Sequence, residues 1–262
     1  HLLTVNSGTA GLTLATRLLK KKDETFDWPG FDEENDIVLP PALTCFATTC
    51  SILANNVKIR WLDTELETPN IDLKDVKRKL NKHTKIIYLV HWGGMPVDLD
   101  ELDKICEEHK ANFGFKPMVV EDCAHAFGGE FNNKKLSNHG NICVYSTQAI
   151  KHLTTVEGGI ITLPNKSLYE RCKLSRWFGI DRERRNYKGK DFRLEHDISE
   201  YGYKFHMNDI NATIGLHNLP YIPELLEKMR KNGKYFDEKL KDIEGIRLMK
   251  NNPKCNSAYW LY

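Results

Sequence analysis

Lys151 lies in the run YSTQAIKHLTTVEGG (residues 145–159), 29 positions after Asp122 in VVEDCAHAFGG. A lysine on a loop that runs into Glu157-Gly158-Gly159 supplies an amine able to form a Schiff base with an aldehyde. A carboxylate where an apolar run ends supplies the counter-charge for a protonated pyridine nitrogen. Those two groups together suit one cofactor, pyridoxal 5'-phosphate, and its amine form, pyridoxamine phosphate (PLP/PMP). The competing reading of Lys151 is a solvated loop lysine, the usual fate of an unpaired lysine.

Asp122 closes the run PMVVED, and an acid at the C-terminal edge of a parallel strand faces the ligand crevice of an α/β sheet. Glu121 alternates to the opposite side and is expected to be a bystander. Ser7-Gly8-Thr9 stands where a strand passes into a helix. Backbone N–H groups at such a start, with two hydroxyls, make a phosphate cradle, although the same tripeptide also serves as an ordinary N-cap. His125, three residues beyond Asp122, is either a donor near the cofactor or a packed, satisfied side chain. The loop HWGGMPVD (residues 91–98) either borders the site or is only a tight turn before a helix.

Five blocks, from VNSGTAGL near the start to GYKFHMNDINATIGL, resemble the DegT/DnrJ/EryC1/StrS family of PLP-dependent sugar aminotransferases, of fold type I. The resemblance implies an aminotransferase that moves an amino group, with L-glutamate as donor, onto a nucleotide-linked keto-sugar. It implies that Ser146 binds the same phosphate as Ser7, Gly8 and Thr9, and that His125 lies near the cofactor's phenolic oxygen. Lys204 stands where many relatives place an asparagine that reaches the neighbouring subunit's phosphate, which implies a homodimer. Cys45 stands where relatives carry the aromatic residue that stacks on the cofactor ring, so either its sulfur packs on the ring or a small register change brings in Phe46, one position later. Two other readings follow from the same resemblance. One is a 3-dehydratase using free pyridoxamine phosphate, whose members carry histidine in place of Lys151. The other is a non-catalytic regulator that binds cofactor or nucleotide-sugar.

The elements that must position these residues follow from periodicity. Short apolar runs at residues 1–5, 36–39, 57–62, 85–90, 118–121, 142–146 and 159–163 alternate with amphipathic segments, as in a mostly parallel α/β sheet with helices on both faces. Asp72 and Asp98 are expected N-caps, and Glu101 follows Asp98 at capping-box spacing. Residues 176–204 form a charged stretch read as a long loop; Arg176, Arg182, Arg184, Arg185 and Arg193 there either clamp a diphosphate or are solvated. A boundary is expected within residues 221–242, dividing a large PLP-binding domain (1–225) from the start of a small C-terminal α/β domain (226–262). The chain opens and closes inside apparent strands, so it is read as a fragment; the resemblance implies that an N-terminal arm and most of the small domain lie outside it.

A net charge of +2 gives no argument for nucleic acid or an acidic membrane surface. No apolar run reaches the ~20 residues of a membrane span. Seven cysteines, an odd count without a Cys-x-x-Cys pair, fit a reducing cytoplasm, and no metal site is expected.

Overall fold

A computed structural model describes residues 1–184 and 197–262. In chain order the strands are β1 (Leu2–Val5), β2 (Ile37–Leu39), β3 (Lys58–Ile59), β4 (Thr84–Val90), β5 (Met118–Asp122), β6 (Glu130–Phe131), β7 (Lys134–Lys135), β8 (Ile142–Ser146), β9 (Gly159–Thr162) and β10 (Cys255–Asn256). The helices are α1 (Gly8–Leu19), α2 (Phe46–Leu53), α3 (Leu73–Lys79), α4 (Leu99–Phe113), α5 (Lys166–Ser175), α6 (Asp209–Asn218) and α7 (Ile222–Leu240).

Seven strands form one sheet in the order β1-β9-β8-β5-β4-β2-β3. Only β9 runs against its neighbours there; the pairs from β8 through β5, β4 and β2 to β3 are parallel. Period-two alternation divides the core between two faces. Ile86 and Tyr88 of β4, Val120 of β5 and Val144 of β8 pack with Leu12, Leu14 and Leu18 of α1. Ile87, Leu89, Val119 and Cys143 point the other way, onto Val76 of α3 and Leu99, Leu102 and Ile105 of α4. Each such aliphatic side chain, fully buried, contributes roughly 1.5–3 kcal/mol. The expected sheet with helices on both faces is the one observed.

Side-chain caps set where the helices begin. Ser7 Oγ accepts from Ala10 N at 3.0 Å, and Asp98 accepts from Glu101 N at 3.1 Å. Asp72 caps α3 by accepting from Lys74 N at 2.9 Å. The Glu101 carboxylate faces Lys104 at 3.4 Å.

The strand expected over residues 57–62 is regular only at Lys58–Ile59. Arg60 N and Leu62 N still donate to Val38 O and Pro40 O, at 2.9 and 2.8 Å. Pro40 and Pro41 carry no N–H to return those bonds, so the ladder dissolves at this edge. Helix α2 was not anticipated, because Phe46–Leu53 is rich in Thr and Cys, poor helix formers held here by burial of Thr48, Thr49, Ser51 and Ile52. The expected domain boundary falls within α7, and β10 beyond it pairs with β6 in a separate three-stranded sheet with β7.

Candidate active site

The strand ends bring the chemistry together. Ser7 follows β1, Asp122 ends β5, Ser146 ends β8, and Lys151 comes five residues after Ser146. All lie along one edge of the sheet, where α/β folds bind ligands.

Asp122 is 4% exposed. Thr48 of α2 donates its hydroxyl to Asp122 Oδ2 at 2.7 Å, and Ala124 N donates to Oδ1 at 3.0 Å. Burial pushes the Asp122 carboxyl above its ordinary range, opposed by those two hydrogen bonds and by the charge of Lys151. Glu121 points to the other face, where it accepts from Asn141 Nδ2 at 2.6 Å and from His91 Nε2 at 2.8 Å.

Lys151 sits on a turn closed by its own N–H to Gln148 O, at 2.9 Å. Burial lowers its ammonium below the ordinary lysine value, while Asp122 and Cys45 hold it up. Lys151 and Asp122 are therefore close enough for each charge to act on the other. The Lys151 Nζ also lies 3.7 Å from the centre of the Trp260 ring.

His125 is buried and stacks on Trp260, with ring centres 3.9 Å apart and planes 17° from parallel. Gly93 N donates to His125 Nδ1 at 3.3 Å, which leaves the proton on Nε2. Burial first, then the charge of Lys151, pushes His125 down to about 3, so the ring is neutral at physiological pH. The HWGGMPVD loop thus borders the site by its backbone. Gly94, at φ 99°, has no room for a side chain: a Cβ would lie 2.8 Å from His125 O and from Tyr259 N.

At the β1–α1 corner, a Cβ on Gly8 would lie 3.1 Å from Ser146 Cβ, so the two candidate phosphate segments touch. A Cβ on Gly159 would lie 2.7 Å from Ser7 C and 2.8 Å from Gly8 N. Gly158 would collide with the Thr147 and Thr155 hydroxyls at 2.5 and 2.3 Å. The Glu157-Gly158-Gly159 run is therefore a packing requirement that lets β9 press on the corner. Ser146 Oγ accepts from Gln148 N at 3.3 Å, and Ser7 Oγ is engaged as the α1 cap.

Other expected residues have plainer surroundings. Cys45 is exposed at the start of α2, near enough to Lys151 to act on its charge. Phe46 is 72% exposed. Lys204 is exposed; its carbonyl accepts from Asn6 Nδ2 at 3.2 Å, beside the β1–α1 corner. Arg176 does not serve as a diphosphate clamp: it is directed inward, and its guanidinium donates to Thr4 O at 2.7 Å, tying the end of α5 to β1. Arg182 lies 4.9 Å from the Trp177 ring centre. The Arg184 side chain, Arg185 and Arg193 lie outside the described residues.

Among the described residues, His91, Glu121 and Cys123 offer ligand atoms within 4.8 Å of one another. The polar atoms of His91 and Glu121 are already used. Val97 N donates to His91 Nδ1 at 3.1 Å, and His91 Nε2 faces Glu121, while burial pushes the Cys123 thiol well up. This is a satisfied polar core, not a ligand set.

The residues fit pyridoxal phosphate. The site has a buried carboxylate for a pyridinium nitrogen, a lysine whose amine is partly desolvated, a neutral imidazole with a free N–H, and a corner whose glycines admit a close-packed anion. Two contributors escape the sequence. Thr48 lies on a helix without a periodic signal. Trp260 is 109 positions from Lys151 and carries no motif.

The DegT/DnrJ/EryC1/StrS aminotransferase family profile matches residues 1–262. An uncharacterized protein of Methanocaldococcus jannaschii is 31% identical over 99% of this chain and 63% of its own length. The GDP-perosamine synthase of Escherichia coli O157:H7 is 26% identical over 98% of the chain and 63% of its own length. Among solved structures, the sugar aminotransferase CalS13 of Micromonospora echinospora superposes with a TM-score of 0.90 at 40% identity, over 100% of this chain and 67% of that one. AtS13 of Actinomadura melliaura does so with 0.91 at 41%, over 100% and 66%. The chain spans about 63% of the length of the curated relatives it matches. These likenesses fix the architecture as fold type I.

Proposed function

Because the chain belongs to the DegT/DnrJ/EryC1/StrS aminotransferase family, we propose that the whole protein is a PLP-dependent aminotransferase acting on a nucleotide-linked keto-sugar. Overall, the amino group of L-glutamate replaces the sugar's carbonyl oxygen, and 2-oxoglutarate leaves. The observation that carries this reading is the pairing of Lys151 and Asp122 along one sheet edge, each within the other's field, beside the corner of Ser7, Gly8, Thr9 and Ser146.

Bound pyridoxal phosphate supplies an electron sink for the carbon that loses a proton. Each side chain then has a task. Lys151 provides the amine that holds the cofactor and, once released, carries a proton between two carbons. Its lowered proton affinity keeps more of the amine neutral, the form that attacks a carbonyl. Asp122 stays ionised against the pyridine nitrogen, oriented by Thr48 and Ala124. His125 offers its Nε2 proton to the phenolic oxygen from a ring fixed by Gly93 N. Ser7, Gly8, Thr9 and Ser146 cradle the phosphate with N–H and hydroxyl donors.

Names borne by relatives support the substrate class: GDP-perosamine synthase, and UDP-4-amino-4,6-dideoxy-N-acetyl-beta-L-altrosamine transaminase of Helicobacter pylori. We further propose a cytoplasmic homodimer in which Lys204 meets the partner's cofactor phosphate as a point charge, and a small domain that begins past α7. Cys45, exposed at the start of α2 and near enough to Lys151 to act on its charge, would line the cofactor's ring.

The test is a coupled assay of the full-length protein with glutamate and a panel of nucleotide-linked 3- and 4-keto-sugars. Glutamate-dependent amino-sugar formation supports the reading. A cofactor-loaded protein that turns over no member of the panel contradicts it.

A further inference from the structure

Trp260 is held against the lysine loop from two sides. Its indole N–H donates to Ile150 O at 2.9 Å, and its ring stacks on His125. The Lys151 ammonium lies 3.7 Å from the centre of the same ring. An ammonium over an indole face is attracted by the ring's negative π cloud, and the attraction grows when the pair is shielded from water. Among the described residues the Lys151 ammonium has no hydrogen-bond acceptor, and the ring face is what it meets.

We propose that Trp260 is a positioning residue for Lys151, its indole face holding the free ammonium whenever that amine is not joined to a carbonyl. The proposal rests on the role given to Lys151 above and adds where the amine goes between its two covalent states. A released lysine must stay near the reacting carbon without drifting into solvent. A neutral, imine-linked nitrogen gains little from the ring, while a free ammonium gains the full attraction. The indole thus favours the released state and holds the ammonium once the amine has taken up its proton, until that proton is delivered. Ile150 O fixes the ring, so the docking place moves with the lysine's own loop.

The other titratable groups around Lys151 are Asp122 at the end of β5, Cys45 before α2, His125 after β5 and its neighbour His152. Asp122 and Cys45 hold the ammonium up; burial opposes them.

The experiment measures the protonation midpoint of Lys151 in full-length, cofactor-free protein, from the pH dependence of trace acetylation of the Lys151 peptide by mass spectrometry. Trp260→Leu lowers the midpoint by roughly 0.5–1 pH unit, so that labelling at a fixed pH below it is about three- to tenfold faster. Trp260→Phe, which keeps a π face but loses the indole N–H, restores most of the wild-type midpoint. An unchanged midpoint in Trp260→Leu, or a Phe variant equal to the Leu variant, overturns the proposal. If Trp260→Leu fails to fold, the fluorine resonance of Trp260 in 5-fluorotryptophan-labelled protein decides. It shifts with the Lys151 midpoint and loses that shift in Lys151→Met; a shift that survives Lys151→Met overturns the proposal. His125, with its midpoint near 3, titrates outside this window. Because no cofactor is present, a failure here is distinct from a failure of Lys151 to bind the cofactor, which borohydride trapping reads separately.

Discussion

Thr48 and Asp122 form a 2.7 Å hydrogen bond between a helix absent from the periodic pattern and the end of the central strand β5. The threonine hydroxyl takes Oδ2 while the turn after β5 takes Oδ1 through Ala124 N, so both oxygens of one buried acid are oriented. Removing the hydroxyl leaves half of a buried carboxylate unsatisfied, at about 1–2 kcal/mol. Thr48→Val therefore weakens pyridoxal phosphate binding roughly tenfold in a spectrophotometric titration. Unaltered affinity would show that Thr48 does not orient the acid.

Asp122 trades stability for function. Its carboxyl titrates above the ordinary range in the folded chain because it is buried. The unfolded chain thus gives up this proton first as pH rises, and ionised Asp122 destabilises the fold at neutral pH, a penalty that fades as pH falls through its folded-state range. Asp122→Asn removes that penalty. The cofactor-free variant should melt higher than wild type at pH 7, with the gap closing toward pH 4, and should bind cofactor poorly. A lower melting temperature at pH 7 contradicts this account.

His125 supplies a second pH-dependent effect of opposite kind. Its folded-state midpoint is about 3, below that of a free imidazole. The neutral ring contributes fully above the unfolded value of about 6.5, and the contribution is lost as pH falls toward 3. The His125 ring carbon-bound proton resonances should stay flat from pH 5 to 8, and His125→Gln should weaken the acid dependence of stability. An inflection near 6.5 assigned to His125 would contradict its burial against Trp260.

Gly159 gives a purely steric test. A Cβ there meets backbone atoms of Ser7 and Gly8 at 2.7 and 2.8 Å, which cannot rotate away. Gly159→Ala should destabilise by about 1–3 kcal/mol, seen as a lowered midpoint in urea unfolding, and should loosen the phosphate corner. Gly8→Ala, against Ser146 Cβ at 3.1 Å, should cost less stability. Equal, negligible effects would mean that the corner is not packed as described.

Much of this was legible in the residues. Short apolar runs placed β4, β5 and β8, and Asp72 and Asp98 marked helix starts through short-range hydrogen bonds that depend only on local sequence. Asp122 and Glu121 divided correctly between two faces because strand alternation fixes them. Glu157-Gly158-Gly159 was visible as a motif, but its cause, contact with a corner more than 140 residues earlier, was not. Arg176 looked like part of a solvated, anion-binding run; its inward bond to Thr4 O depends on α5 packing beside β1, a long-range fact. Thr48 and Trp260 reach the site through tertiary contacts that leave no periodic trace.

The account turns on the amine at position 151. Full-length protein incubated with pyridoxal phosphate, reduced with borohydride and digested should yield one peptide carrying the cofactor's mass, with the modification on Lys151 and none in Lys151→Ala. Cofactor fixed on a different lysine, or an unchanged yield in Lys151→Ala, would contradict it.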